Sequence, residues 1–173
     1  MGKVATPRLM NPKAFRLIFL VMGLGALGSV AFAAVYLQGM LHLLPCPMCV
    51  VQRIAFSAAG LLALAAAVHG PRSRGGQQAY AGLIGLLALG GLASAGRQIW
   101  LTYFPQSFDC GISPEEVFLN SLPMARWWPA MFAAEGDCAA VKWRFLGLSI
   151  PELSAIAFAL ILAFSVWLAL RRR

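Results

Sequence analysis

Residues 17–37 read LIFLVMGLGALGSVAFAAVYL, twenty-one positions without a charge. A helix needs about 20 apolar residues to cross the hydrocarbon core of a bilayer. The stretch is too long for the apolar core of a signal peptide, and no small-residue cleavage site with a polar mature region follows it. Three further stretches have the same character: residues 50–68, 79–96 and 153–170. The first of these is interrupted near its start by Gln52 and Arg53, whereas the other two carry no charge. The sequence therefore predicts an all-α membrane protein, a four-transmembrane-helix bundle forming one domain over residues 1–173. Composition points the same way. Hydrophobic residues make up 60% of the chain, charged residues 12%, and the mean hydropathy is +0.75. Soluble domains run at about 45–50% apolar and about 25% charged. An ordinary cytosolic enzyme, a disordered chain and a collagen are all excluded, and four cysteines are too few for a disulfide-dense secreted scaffold.

The charges orient the bundle. Nine of the 14 basic residues fall in the N-terminal tail, the loop between the second and third spans, and the C-terminus: Lys3, Arg8, Lys13, Arg16, Arg72, Arg74 and Arg171 to Arg173. All six acids, Asp109, Glu115, Glu116, Glu135, Asp137 and Glu152, lie on the other side. The positive-inside rule places the basic side in the cytoplasm. Residues 1–16, 69–78 and 171–173 are then cytoplasmic, and loops at 38–49 and 97–152 are extracytoplasmic. The net charge of +8 reflects this topology and argues no nucleic-acid partner; the expected surroundings are a lipid bilayer.

The second outer loop is long. Ser113-Pro114-Glu115-Glu116 offers an N-cap, a proline at the first helical position and a glutamate three residues after the cap, so a short helix is expected there. Val117, Phe118, Leu119 and Leu122, then Trp127, Trp128, Met131 and Phe132, suggest a loop lying on the membrane surface as an interfacial element. Ser149-x-x-Glu152 is a second capping box, opening the last span. Gly23, Gly25 and Gly28 in the first span, with Gly82, Gly85, Gly90 and Gly91 in the third, suit close helix packing.

All four cysteines fall on the outer side. Cys46-Pro47-Met48-Cys49 stands at the mouth of the second span, and Cys110 and Cys138 lie in the long loop. Two thiols one helical turn apart can close a disulfide. The free N–H groups and positive end of a helix stabilise a thiolate, which makes it both nucleophile and leaving group. Pro47 forfeits no helical hydrogen bond in the first turn. A bridge between Cys110 and Cys138 would close a loop of about 29 residues and contribute roughly 3–4 kcal/mol in the chain-entropy picture; spacing alone leaves open whether that pair is structural or reactive. A c-type haem needs histidine after the second cysteine, where this chain has Val50. A four-cysteine zinc site usually uses two C-x-x-C knuckles, and Cys110 and Cys138 stand singly, so no metal is expected. Arg53 lies one turn beyond Cys49. A guanidinium in a span is costly and usually functional; the plainer alternative is that it snorkels to the interface. Arg97 and Gln98 end the third span at the same membrane depth. His42 and His69 read as interfacial residues.

Thiol chemistry in a bilayer needs an electron partner, and with no haem or flavin motif a lipid-soluble quinone is the natural candidate. Here the chain resembles the DsbB family of bacterial disulfide-bond formation proteins, over about Leu17 to Leu170. The resemblance rests on Pro45-Cys46-Pro47-Met48-Cys49-Val50-Val51-Gln52-Arg53, on Gly136-Asp137-Cys138-Ala139, and on Trp143-Arg144-Phe145-Leu146-Gly147-Leu148-Ser149-Ile150-Pro151. It implies a thiol:quinone oxidoreductase of the bacterial inner membrane with periplasmic cysteines, paired Cys46–Cys49 and Cys110–Cys138. A reduced DsbA-like thioredoxin-fold oxidase would attack the loop pair at Cys110. Electrons would pass to Cys46 and Cys49, and Cys49 would reduce ubiquinone or menaquinone held near Arg53, Arg97 and Gln98. Many family members have histidine where this chain has Gln98, so a histidine role does not carry over, although the glutamine could still donate to a quinone oxygen. Three other readings compete: a paralogue with a dedicated partner, a membrane scaffold with two structural disulfides, and an enzyme like vitamin K epoxide reductase. In the last, the loop cysteines precede the C-x-x-C instead of following it.

A reporter fused after Arg173 is expected to be active only as a cytoplasmic fusion; activity on the opposite side would reverse the topology and move every cysteine into a reducing compartment.

Overall fold

In a computed structural model of the chain, residues 11–104, 114–138 and 143–170 are described. Four long helices dominate it. The first, α1 (Pro12–Phe32), opens on Asn11, whose side chain accepts from the Lys13 N–H at 3.0 Å. It continues as a π-helical segment, Ala33–Met40. The others are α2 (Pro47–His69), α3 (Arg74–Tyr103) and α7 (Ile150–Leu170). All four are long and apolar enough to cross a membrane. Each exceeds the apolar stretch that announces it, because polar residues at the interface still complete helical hydrogen bonds. The 30 residues of α3 span about 45 Å at 1.5 Å per residue, more than the roughly 30 Å of hydrocarbon. Residues 38–40, 47–49, 74–78, 97–103 and 150–152, expected as loop, are therefore helical.

The helices pack in the order α1–α2–α3–α7. Without a hydrophobic drive between helices in lipid, association relies on close contact of small residues. Gly23 of α1 meets Gly60 of α2 in this way. On α3, a Cβ at Gly91 would lie 2.3 Å from the Phe158 ring of α7. Phe158 in turn stacks on Phe56 of α2, with centroids 3.9 Å apart, joining three helices at mid-depth. Not every glycine packs. Gly25, Gly28, Gly82 and Gly90 have nothing where a Cβ would stand, and the first two face a cavity described below. Polar ties hold the ends: Gln78 to the Ala169 carbonyl, His69 to Tyr80, and the Tyr103 hydroxyl to Glu152.

The segment between α3 and α7 holds more structure than one interfacial helix. It contains α4 (Pro114–Ser121), α5 (Pro123–Trp127), α6 (Pro129–Phe132) and a small antiparallel hairpin, β1 (Arg144–Phe145) with β2 (Leu148–Ser149). The predicted cap of α4 at Ser113 lies outside the described residues. Trp127, Trp128 and Phe118 are exposed, as an interfacial element requires, but Met131 is buried among Ala26, Ala55, Phe56 and Phe158. The segment is thus plugged into the bundle as well as laid over it. Only half of the second capping box forms: the Ser149 N–H and hydroxyl both donate to one Glu152 oxygen at 2.6 Å.

Gly91→Ala is expected to destabilise the bundle by about 1–3 kcal/mol through overpacking against Phe158. A lowered unfolding midpoint in detergent would show it, and Gly90→Ala, which meets nothing, should not lower that midpoint and should raise it slightly through helix propensity.

Candidate active site

The first turn of α2 sets the geometry. Cys46 is the N-cap residue, in extended backbone, and its own sulfur accepts from the Cys49 N–H at 3.3 Å. This is the position that Ser or Asp usually fills. The cap draws the two sulfurs of Cys46 and Cys49 to 2.7 Å apart as free thiols, within reach of a disulfide.

Gln98 approaches from α3. Its Nε2 donates to the sulfurs of both Cys46 and Cys49 at 3.3 Å, while its Oε1 accepts from Gln52 Nε2 at 2.8 Å. Gln52 and Gln98 are both buried. The Gln52 bond fixes which end of the Gln98 amide faces the sulfurs. Gln98 lines the cavity, but the group expected to reach a quinone oxygen is directed at the thiols. Arg97 does not converge on the site. One residue along a helix turns the side chain by about 100°, and Arg97 is exposed and absent from the cavity wall.

Arg53 is buried, not snorkelling. Its Nη1 donates to Gln38 Oε1 at 2.9 Å and its Nη2 to the Ala33 carbonyl at 3.5 Å. Both acceptors belong to the π-helical segment that continues α1, a winding that is rare and is found frequently at functional sites. Gln38, read from sequence as the start of a loop, is therefore part of the site.

The long connection supplies a third sulfur. The N–H groups of Glu135 and Gly136 both donate to the Pro45 carbonyl at 3.0 Å. A Cβ at Gly136 would lie 2.4 Å from the Leu44 carbonyl oxygen and 2.9 Å from Cys46 N, so only glycine lets the two backbones meet. Two residues on, Cys138 reaches Cys46. The Cys46 thiol donates to the Cys138 sulfur, which also receives the Met48 N–H; these contacts hold the Cys138 thiol below its ordinary range. The same contact with Cys138, then that with Cys49 and burial, push Cys46 up. Of the two thiols, Cys138 is thus the more acidic and Cys46 the less. Cys110 lies outside the described residues, and so does its pairing with Cys138.

These groups border a cavity of about 830 Å³. Cys46, Cys49, Arg53 and Gln98 form its polar end. Its walls are apolar, from Gly25, Gly28 and Phe32 of α1, Phe56 of α2, and Leu153 and Ala157 of α7. The pattern is that of a ligand site with a few converging polar groups in an apolar chamber.

The sequence model for the family "Disulfide bond formation protein DsbB" matches residues 15–168. The chain belongs to the DsbB family. Among curated relatives, the disulfide bond formation protein B of Nitrosospira multiformis is 49% identical over 163 residues, covering 94% of this chain and 96% of the relative. That of Nitrosomonas europaea is 52% identical over 151 residues, covering 87% and 89%. That of Aromatoleum aromaticum is 44% identical, covering 95% and 99%. This DsbB family member is a four-span membrane protein, and disulfide bond formation is the role its family supports.

In reduced protein carrying Cys110→Ser, alkylation of Cys138, followed on its peptide by mass spectrometry, should persist to lower pH than for an ordinary thiol. Cys46→Ala removes the donor, and Gly136→Ala lifts the segment off Pro45; each should move the profile upward. A profile unchanged in both would remove Cys46 as the cause.

Proposed function

We propose that this chain is a thiol:quinone oxidoreductase of the bacterial inner membrane. It reoxidises a periplasmic DsbA-type dithiol oxidase and delivers the electrons to ubiquinone or menaquinone. Its termini are cytoplasmic and its cysteines periplasmic. The observation that supports this reading best is the meeting of three sulfurs, Cys46, Cys49 and Cys138, the first two of which line one apolar cavity.

Two of the contacts that the exchange needs, Cys46 with Cys49 and Cys46 with Cys138, are already in place. A partner thiolate attacks a Cys110–Cys138 disulfide at Cys110, and Cys138 leaves as the thiolate its surroundings favour. Cys138 attacks Cys46 of a closed Cys46–Cys49 pair; the Cys138–Cys46 bond forms, the Cys46–Cys49 bond breaks, and the electron pair leaves on Cys49. The α2 N-terminus and the Gln98 amide stabilise that charge. The partner's second thiol closes its own disulfide and frees Cys110, which attacks Cys138 and releases Cys46. The net result is an oxidised partner and a Cys46/Cys49 dithiol carrying two electrons and two protons.

A quinone in the cavity supplies the two-electron, two-proton acceptor that lets Cys46–Cys49 close again. The residues fit such a guest. The apolar walls suit a ring and hydrocarbon tail, and Arg53 offers a fixed positive charge where an oxygen gains electron density. Gln38 and the Ala33 carbonyl hold the guanidinium in place and so spare it reorganisation during the reaction.

Quinone reduction by purified protein with a reduced DsbA-type oxidase tests the proposal. Arg53→Ala is expected to lower turnover by about 10²–10³, the usual cost of losing one preorganised electrostatic partner, and to raise the KM for quinone. Arg53→Lys keeps the charge without the planar fork and should fall between. Absence of quinone reduction by the wild-type protein would overturn the acceptor. An Arg53→Ala protein matching wild type in both parameters would overturn the role of Arg53.

A further inference from the structure

Cys138 is carried to Cys46 by a segment that one side chain clamps from outside the site. Asn120 stands at the end of α4. Its Nδ2 donates to the Ala134 carbonyl at 2.9 Å, and its Oδ1 accepts from the Ala134 N–H at 2.9 Å. The amide satisfies both backbone groups of one residue, as a neighbouring strand would. Ala134 is fully buried, so loss of the amide would leave a buried donor and a buried acceptor unpaired. The clamp also has a footing. Leu119, the residue before Asn120, packs with Ala134 and with Val50 of α2, which follows Cys49 in sequence. From Ala134 the chain passes directly through Glu135 and Gly136, which hold the Pro45 carbonyl, and on to Cys138.

Asn120 itself is exposed, and it does not border the cavity. It has no part in the chemistry of the sulfurs. Its geometry is nevertheless demanding. A hydroxyl carries its donor and acceptor on a single oxygen and cannot span both backbone groups, aspartate can only accept, and glutamine places the amide one methylene further out.

We propose that Asn120 is a positioning residue for thiol–disulfide exchange between the long connection and the C-x-x-C pair. Its two-way bond to Ala134 holds residues 134–138 in the register that rests Cys138 on Cys46. The inference builds on the relay proposed above, in which Cys138 and Cys46 exchange directly. It separates the two thiol reactions of Cys46. Closure with Cys49 stays within one helical turn of α2 and does not need Asn120, whereas bonding to Cys138 does.

Two membrane-inserted proteins of full length test it. In the first, Cys49→Ser and Cys110→Ser leave Cys46 and Cys138 as the remaining thiols. In the second, Cys110→Ser and Cys138→Ser leave Cys46 and Cys49. Diamide takes two electrons and two protons from each pair, and closure is followed by gel shift after maleimide–polyethylene glycol labelling. Asn120→Ala and Asn120→Leu are expected to slow Cys46–Cys138 closure about tenfold, the scale of losing two hydrogen bonds that fix a reacting geometry. Asn120→Asp, which keeps the acceptor, should fall between. Cys46–Cys49 closure should be unchanged in all three. Unchanged Cys46–Cys138 closure in Asn120→Ala would overturn the role of Asn120 and leave the relay standing. An equal slowing of both closures would make Asn120 a general structural residue and overturn it too. Failure of Cys46 and Cys138 to close with Asn120 intact would overturn the direct exchange, and the positioning role with it.

Discussion

Cys46 caps α2 with its own sulfur, and that bond ties the chemistry of the protein to its backbone. A cap must sit where the first N–H groups of the helix are free, which is also where the positive end of the helix dipole lies. Once a thiol takes the position, the Cys49 N–H draws the Cys46 sulfur inward and the two sulfurs come together. Pro47 makes the arrangement inexpensive, since it offers no N–H to compete for the cap. The remaining parts of the site are fastened around this turn: Gln98 from α3, Cys138 from the long connection, and the Pro45 carbonyl immediately before it.

The buried polar groups are organised as two separate sets. Gln52 and Gln98 form an amide pair in which Gln52 donates to the Gln98 oxygen and Gln98 donates to the sulfurs. Arg53 and Gln38 form a second pair, closed by the Ala33 carbonyl. In a low-dielectric setting an unpaired amide or guanidinium is very costly, so each set fixes its own orientation. The result is a thiol pair with donors on one side and a positive charge held apart from it, both at the polar end of one apolar chamber.

The long connection illustrates how a segment of low regularity can still be precise. Among its described residues it has no long helix and only a two-residue strand pair, yet Met131 plugs the bundle, Leu119 seats α4 on α2, Asn120 holds Ala134, and Gly136 lets one backbone lie on another. Segments that position reactive groups in this way need stiffness at a few points only, and the exposed Trp127, Trp128 and Leu146 leave the outer face free to meet a membrane surface.

Four spans, the C-x-x-C pair and the arginine within a span were legible in the sequence because they rest on local rules: runs of apolar residues at bilayer length, a C-x-x-C at a helix start, and the cost of a charge in a span. The family resemblance was legible in contiguous motifs for the same reason. Contacts between residues far apart in sequence were not. That Gln98 faces sulfur while Arg97 faces outward depends on the rotation of α3 against α2, which no local pattern specifies. Gln52 could be seen as a polar interruption, but not what it orients; Gln38 read as loop because the π-helical winding that brings it to Arg53 has no periodic signature. Met131 read as interfacial because its burial depends on where the connection folds back. Asn120 gave no sign at all and Gly136 was legible only as part of a motif, since an amide near a helix end and a glycine in a loop are ordinary until another backbone lies against them. Local sequence specified the medium, the elements and the candidate thiols; which polar group meets which sulfur came from packing, because hydrogen bonds reach only about 3 Å and that distance depends on how the helices sit together.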